Sequence, residues 1–319
     1  MKEKAESLGV KILYNTKLLS LLTKNKELGS PVVGAKVENK GKIINILAKG
    51  GVVLATGGFA NSPELVAKYH PYLKGIKAYG SPLNTGDGIK AAVDIGANFI
   101  VVHSGFGMNM VSVGTQSNKS LGQPMVAVPL IVVNKQGERF TDETKGYLNA
   151  NHIMVEKKWK KANWIFDSKT VKDFGENSSL KLLFNQEKIP SYSSLDELAK
   201  AQGIPPEALK ETIEEYNKDV REGKDIFGKK RLLATIEEGP FYTREVEPRI
   251  YTSYSGLEIN TDAEVLDVRS KAIPGLYAAG DVVGVLTWQT GLAGGGLSTI
   301  AAAVVYGRIA GAEAAKRLK

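Results

Sequence analysis

The sequence predicts an α/β chain with an α+β segment set into its middle, and three observations carry that expectation. Near the C terminus an apolar run, Leu276 to Ala279, ends in Gly280-Asp281, and a glycine-rich stretch (Gly291, Gly294, Gly295, Gly296) then leads into an alanine-rich helical pattern opening at Leu297, Ser298 and Thr299. That order reads as buried strand, tight loop, helix. A second apolar strand, residues 51–54, ends in Ala55-Thr56-Gly57-Gly58, while residues 103–250 mix hairpin and helix signals. A chain of 319 residues with 43% hydrophobic side chains is long enough to bury two cores. The expected division is 1–102 and 251–319 in one domain, with 103–250 as a second.

The elements follow in order. Residues 1 to about 12 read as the end of a helix, with Leu8-Gly9 as its stop and Val10 to Asn15 as the following strand. Residues 16–57 alternate strands with turns at Lys24–Gly29 and Lys40-Gly41. Ser62 before Pro63 caps a helix, and Asn84-Thr85-Gly86-Asp87-Gly88 precedes another, with Asp87 favourable to its dipole. Ile131 to Glu143 predicts a hairpin turning at Lys135-Gln136-Gly137, and residues 163–168 a buried strand. Ser194 and Pro205-Pro206 start two helices across 194–223.

Composition narrows the function classes. Without a cysteine, the chain holds no disulfide, thiolate metal site, Cys-ligated iron–sulfur cluster or CxxCH haem attachment, so electrons for redox work come from outside. The net charge of +8 is spread in short lysine runs such as Lys157, Lys158, Lys160 and Lys161, which predicts a solvated basic face rather than nucleic-acid binding. No apolar run reaches the roughly 18 residues of a membrane span. The charged N terminus lacks an export signal's apolar core, so the expected location is cytoplasmic.

The string IPGLYAAGD with the glycine-rich turn and VVYGRIAG, together with ATGG at 55–58, TGDG at 85–88 and VVNKQGERFTDE at 132–143, resembles the flavoproteins of the fumarate reductase/succinate dehydrogenase family, in their flavocytochrome-like branch. The resemblance implies an incomplete Rossmann-like FAD-binding domain interrupted by a capping domain, with FAD as cofactor. It implies that Gly280 and Asp281 meet the ribityl chain or ribose, and that amides near Gly296, Leu297 and Ser298 face the flavin pyrimidine edge. Ala55, Thr56, Gly57 and Gly58 would pass close to the flavin, as would Thr85, Gly86 and Asp87. Each loop also has a plainer reading as a strand-to-turn connection or helix start. Arg139 takes the place of the arginine that protonates substrate carbon, with Asp142 and Glu143 as ion-pair partners. Tyr251 and Tyr254 stand where dicarboxylate reductases carry a histidine pair; a tyrosine donates to a carbonyl or acts as acid/base, and inter-domain packing is the alternative.

Departures from the family pattern bear on substrate. Thr290-Gly291-Leu292 replaces the segment with a carboxylate-clamping arginine, Met108 stands in for a histidine, and Gln123 and Val126 for a proton relay. The pocket residues Phe106, Met108, Met110, Tyr254, Leu286 and Trp288 are apolar or aromatic, which disfavours fumarate and succinate. No strand followed by GxGxxG is present, so the chain reads as the C-terminal portion of such a flavoprotein, with a partner chain as one possible supplier of the missing Rossmann half. The expected activity is flavin-dependent reduction or formation of a C–C double bond conjugated to a carbonyl-type group, on a small molecule and with an external electron donor or acceptor. The alternatives are an incompetent fragment or ligand-binding module, and a 3-oxosteroid-dehydrogenase-like enzyme.

Overall fold

A computed structural model describes residues 1–102, 106–113, 126–186, 188–284 and 296–318. In chain order the first elements are α1 (Lys2–Ser7), β1 (Thr16–Thr23), β2 (Val32–Asn39), β3 (Lys42–Leu47), β4 (Val52–Leu54), α2 (Pro63–Tyr69), α3 (Asp87–Val93) and β5 (Phe99–Ile100). There follow β6 (Phe106–Ser112), β7 (Ile131–Val133), α4 (Gly146–Glu156), β8 (Ala162–Asp167), α5 (Ser168–Phe174), α6 (Ser178–Gln186), β9 (Ser191–Tyr192), α7 (Leu195–Gln202) and α8 (Pro206–Glu222). The last are β10 (Phe241–Ser253), β11 (Gly256–Leu257), β12 (Glu264–Leu266), β13 (Ala272–Ala278) and α9 (Gly296–Lys316).

These form two compact units, one of Met1–His70, Pro82–Phe106 and Thr252–Lys319, the other of Pro71–Ser81 and Gly107–Tyr251. Segment 71–81, expected with the first domain, packs instead with the second unit. The reason is a backbone ladder: Tyr79 N donates to Ile250 O at 2.6 Å and Ile250 N to Lys77 O at 3.1 Å.

In the first unit, β1, β2 and β3 form an antiparallel sheet, and β12, β13 and β4 a second one in which β13 and β4 run parallel. The β2–β3 connection at Lys40-Gly41 has both residues at positive φ (50° and 78°), the backbone a tight two-residue hairpin needs. Val10 to Asn15 is not a strand. Asn15 sits at φ 52°, which breaks the extended run, and pairing starts only where Thr16 meets Asn39. The predicted cap at Ser62 forms, its Oγ accepting from Leu65 N.

In the second unit, the sheet order is β6-β10-β8-β7, with β9 also on β10. Period-two alternation sends Val132, Trp164, Phe166 and Val246 to one face, where they join Met154 of α4 and Leu180 and Leu183 of α6. Ile131, Val133, Ile165 and Phe241 go to the other face and join Leu198 of α7 with Leu209, Ile213 and Tyr216 of α8. Both faces being covered explains why β7 and β8 are buried at every position. Ser194 caps α7 by accepting from Glu197 N, and Pro206 opens α8.

Candidate active site

The first unit builds its site at one end of the β13–β4 pair. Leu276, Tyr277 and Ala278 stand in parallel register with Val52, Val53 and Leu54, and Ala279 N donates to Leu54 O at 3.0 Å. Parallel pairing makes both chains leave the sheet at the same end, so Ala55-Thr56-Gly57-Gly58 and Gly280-Asp281 emerge side by side. Helix α9 packs against both strands.

Two further segments close on these loops. Thr252 Oγ1 donates to Asp281 Oδ2 at 2.7 Å, which fixes the carboxylate on one oxygen. The approach beside it is so close that a Cβ on Gly58 would lie 2.3 Å from Ser253 Oγ and 3.5 Å from Asp281 O. On the other side a Cβ on Gly88 would lie 2.2 Å from Thr56 Oγ1, so the first turn of α3 sits directly on the 55–58 loop. Asn61 N donates to Asn84 O at 2.9 Å, tying the Thr85-Gly86-Asp87 segment to the same place. Asp87 also lies 3.8 Å from Lys17 Nζ. The hydroxyls of Thr56 and Ser253 are covered and have no hydrogen-bond partner among the described residues, although a buried hydroxyl ordinarily finds one.

Tyr254 follows this cluster between two anchored residues. Thr252 holds Asp281, and Ser255 Oγ accepts from Val102 N at 2.9 Å and lies 2.9 Å from His70 Nε2. Sequence reasoning passed over Ser253, Ser255 and His70, because their value lies in contacts 153 to 195 positions away that no local pattern marks. Tyr251 ends the second unit's share of β10, and Tyr254 belongs to the first unit.

Arg139 occupies a different kind of place in the second unit. After β7, Asn134 Oδ1 accepts from Gln136 N and Glu138 N, closing a tight turn. The second strand of the expected hairpin shrinks to one bridge, Val133 to Arg139. The Arg139 side chain is 3% exposed, with Nε and Nη2 donating to Glu143 at 2.9 Å each and Nη1 to Asp225 at 2.5 Å. The rings of Tyr216 and Phe227 lie 4.9 and 5.2 Å from the guanidinium carbon. Lys229 Nζ adds a second cation, 3.0 Å from Glu143.

Burial opposes the Arg139 charge, but the two carboxylates outweigh it and drive its pKa further above the usual value. Burial alone would raise the Asp225 carboxyl; Arg139 and the amides of Lys229 and Phe227 hold it below the usual range instead. Burial also lowers Lys229 against the pull of Glu143. This is a structural ion-pair cluster, and its upward pKa shift is the reverse of what a proton donor needs. That pairing favours a structural role for Arg139 over the proton-donating one expected of it. Asp142, expected as its partner, instead accepts from Thr144 N and Oγ1 at 2.8 and 2.6 Å.

Met110, expected in a substrate pocket, is buried in the second unit's core, where Trp164 Nε1 lies 3.2 Å from its sulfur. Gly296, Leu297 and Ser298 form the first turn of α9. Their side chains, those of Phe106 and Met108, and residues Leu286, Trp288 and Thr290 lie outside the described residues.

A parallel strand pair delivering a carboxylate, close-packed glycine loops and a long helix against the same strands are the parts of a cofactor-binding α/β domain. The model of the FAD binding domain family matches residues 1–297. The chain belongs to the FAD-dependent fumarate reductase/succinate dehydrogenase flavoprotein family. It is 32% identical over 329 residues to a fumarate reductase (cytochrome) of Shewanella frigidimarina, across 97% of this chain and 55% of that protein. A flavocytochrome c3 fumarate reductase solved in an open conformation superposes with a TM-score of 0.80 at 32% identity, over 99% of this chain and 54% of the other. A 3-ketosteroid delta1-dehydrogenase from Sterolibacterium denitrificans, solved with 1,4-androstadiene-3,17-dione, gives 0.78 at 26% identity, over 99% and 62%. The chain spans about half the length of the curated relatives it matches. Among the described residues no helix is long and apolar enough to cross a membrane.

Proposed function

We propose that this chain forms the flavin-facing and capping part of an FAD-dependent oxidoreductase that reduces or forms a C–C double bond conjugated to a carbonyl-type group. It would act on a small molecule, with an external electron donor or acceptor. The observation that carries this reading is the convergence of residues 55–58, 84–88, 252–255 and 279–281 at one end of the β13–β4 pair, with the covered hydroxyls of Thr56 and Ser253 lacking partners among the described residues. Those features fit FAD: two hydroxyls able to bond a polar group, glycines that let backbone approach it, and a carboxylate held ready by Thr252. Asp281, Thr56, Gly57, Gly58 and the Thr85–Asp87 segment would hold the cofactor, and Gly296, Leu297 and Ser298 would present the first amides of α9.

Bound FAD supplies the hydride chemistry, and the protein's work is to orient the substrate and handle the proton. With Arg139 committed to Glu143 and Asp225, proton donation falls to Tyr254, whose neighbours Thr252 and Ser255 are both anchored. Its phenol donates to a substrate carbonyl without bringing a charge, which suits a neutral, enone-type substrate better than a dicarboxylate. Likeness to a ketosteroid dehydrogenase favours the same class.

The test is FAD content and dye-linked turnover of purified protein on neutral enones and on unsaturated acids. Asp281→Ala loses bound FAD. Tyr254→Phe keeps FAD and lowers kcat on enones by roughly a hundredfold or more. Protein that takes up no FAD sinks the proposal, and wild-type turnover by Tyr254→Phe removes that residue from the mechanism.

A further inference from the structure

The second unit carries a groove unrelated to the loops assigned to FAD. It has a volume of about 720 Å3 and lies between residues 71–77, the end of α4 with Lys158–Lys161, and residues 247–249 of β10. Ile76, Val155, Trp159 and Pro248 supply its apolar surface. Trp159 is fixed from behind, meeting Phe140 of the core edge to face at 5.2 Å. Lys74, Lys77, Lys158 and Lys160 line the same concavity and are exposed.

The ammonium groups differ in their pairing. Lys161 is held by Glu245 at 2.7 Å, and Arg249 is paired with Glu247 and donates to Ala78 O. Lys74, Lys77, Lys158 and Lys160 are ion-paired to no described residue. The lysine run at 157–161 reads in sequence as a solvated basic face. The fold instead brings residues 71–77 against it, so that cations from two segments some 80 positions apart share one hollow. Unpaired like charges gathered around a cavity repel one another, and an anion carrying more than one charge relieves that repulsion.

The volume falls within the range of small-molecule pockets, and concavity favours a small ligand over the flat face of an acidic protein. We propose that this groove binds a phosphorylated, planar aromatic anion of the nucleoside diphosphate class, its phosphates on the lysines and its ring system on the Trp159 side. The inference is independent of the reaction proposed for the flavin site.

Isothermal titration of the FAD-saturated protein tests it, because saturation keeps the probe out of the flavin site. ADP is expected to bind at one site with an affinity that falls as salt rises. Pyrophosphate and adenosine, which carry only the charge or only the ring, bind roughly tenfold or more weakly. Lys158→Glu with Lys160→Glu weakens ADP by roughly tenfold or more and leaves FAD content and Tm unchanged, since both side chains are exposed. No saturable ADP binding, equal binding by the double variant, or pyrophosphate matching ADP each overturns the proposal. So does an acidic peptide that binds where ADP does not.

Discussion

Replacing Glu143 by glutamine tests whether the Arg139 cluster is structural. Glu143 Oε1 accepts from Arg139 Nε at 2.9 Å and Val132 N at 3.1 Å, and Oε2 from Arg139 Nη2 at 2.9 Å and Lys229 Nζ at 3.0 Å. The side chains of Arg139, Glu143 and Lys229 are 3%, 0% and 0% exposed. The amide keeps the volume of the carboxylate, removes its charge and turns an NH2 toward a donor. Asp225 is then left to answer two buried cations. Removing one partner of a buried pair costs about 3–5 kcal/mol, and two stranded cations place this change toward the upper end. At about 2–4 °C per kcal/mol for a unit of this size, Tm falls by roughly 6–20 °C. Circular dichroism melting with matched urea titrations reads the shift. Adding Lys229→Met to Glu143→Gln removes one stranded charge and recovers part of the loss. A single variant that melts within about 2 °C of wild type, against that expected drop, refutes the account of a buried, mutually dependent cluster.

Three other outcomes are expected. The Asp225 carboxyl titrates below its ordinary value of 3.8 in the folded protein, so its contribution is fully present above that value and is lost as pH falls through the depressed native pKa. The urea midpoint of wild type should therefore exceed that of Asp225→Asn at neutral pH, and the gap should close under acid; a gap independent of pH contradicts the assignment. Gly88→Ala drives a methyl into Thr56, whose Oγ1 and Cγ2 stand 2.2 and 3.0 Å from the new Cβ. A cost of about 1–3 kcal/mol and a loss of bound FAD follow, read by melting and by absorbance of the purified protein. Trp164→Ala empties one face of the second unit's sheet, where Trp164 is 2% exposed. It should cost about 3–5 kcal/mol in denaturant unfolding, and a cost below about 1 kcal/mol means the core is not packed as described.

Much of the architecture is written locally. Ser62 and Ser194 cap helices because a hydroxyl there reaches an amide three residues on, and Lys40-Gly41 turns a hairpin because both residues accept positive φ. The loops at 55–58, 84–88 and 280–281 are legible too, since glycines at the ends of apolar strands mark where backbone comes close to something else. Local pattern misplaced the first strand, because Val10 to Asn15 is as apolar as Thr16 to Thr23, and only the partner at Asn39 decides where a ladder starts.

Tertiary structure decided the rest, above all the partners of Arg139. In sequence it is a cation after a turn with Asp142 and Glu143 as neighbouring carboxylates; in the fold Glu143 pairs with it, Asp225 arrives from 86 positions away and Lys229 joins at Glu143. The parallel pairing of residues 52–54 with 276–278 and the bond from Thr252 to Asp281 are likewise invisible to any local window. Helix caps and turns depend on neighbours a few residues apart, so sequence alone determines them. The state of a charge depends on which distant groups share its burial, and only the folded chain settles that.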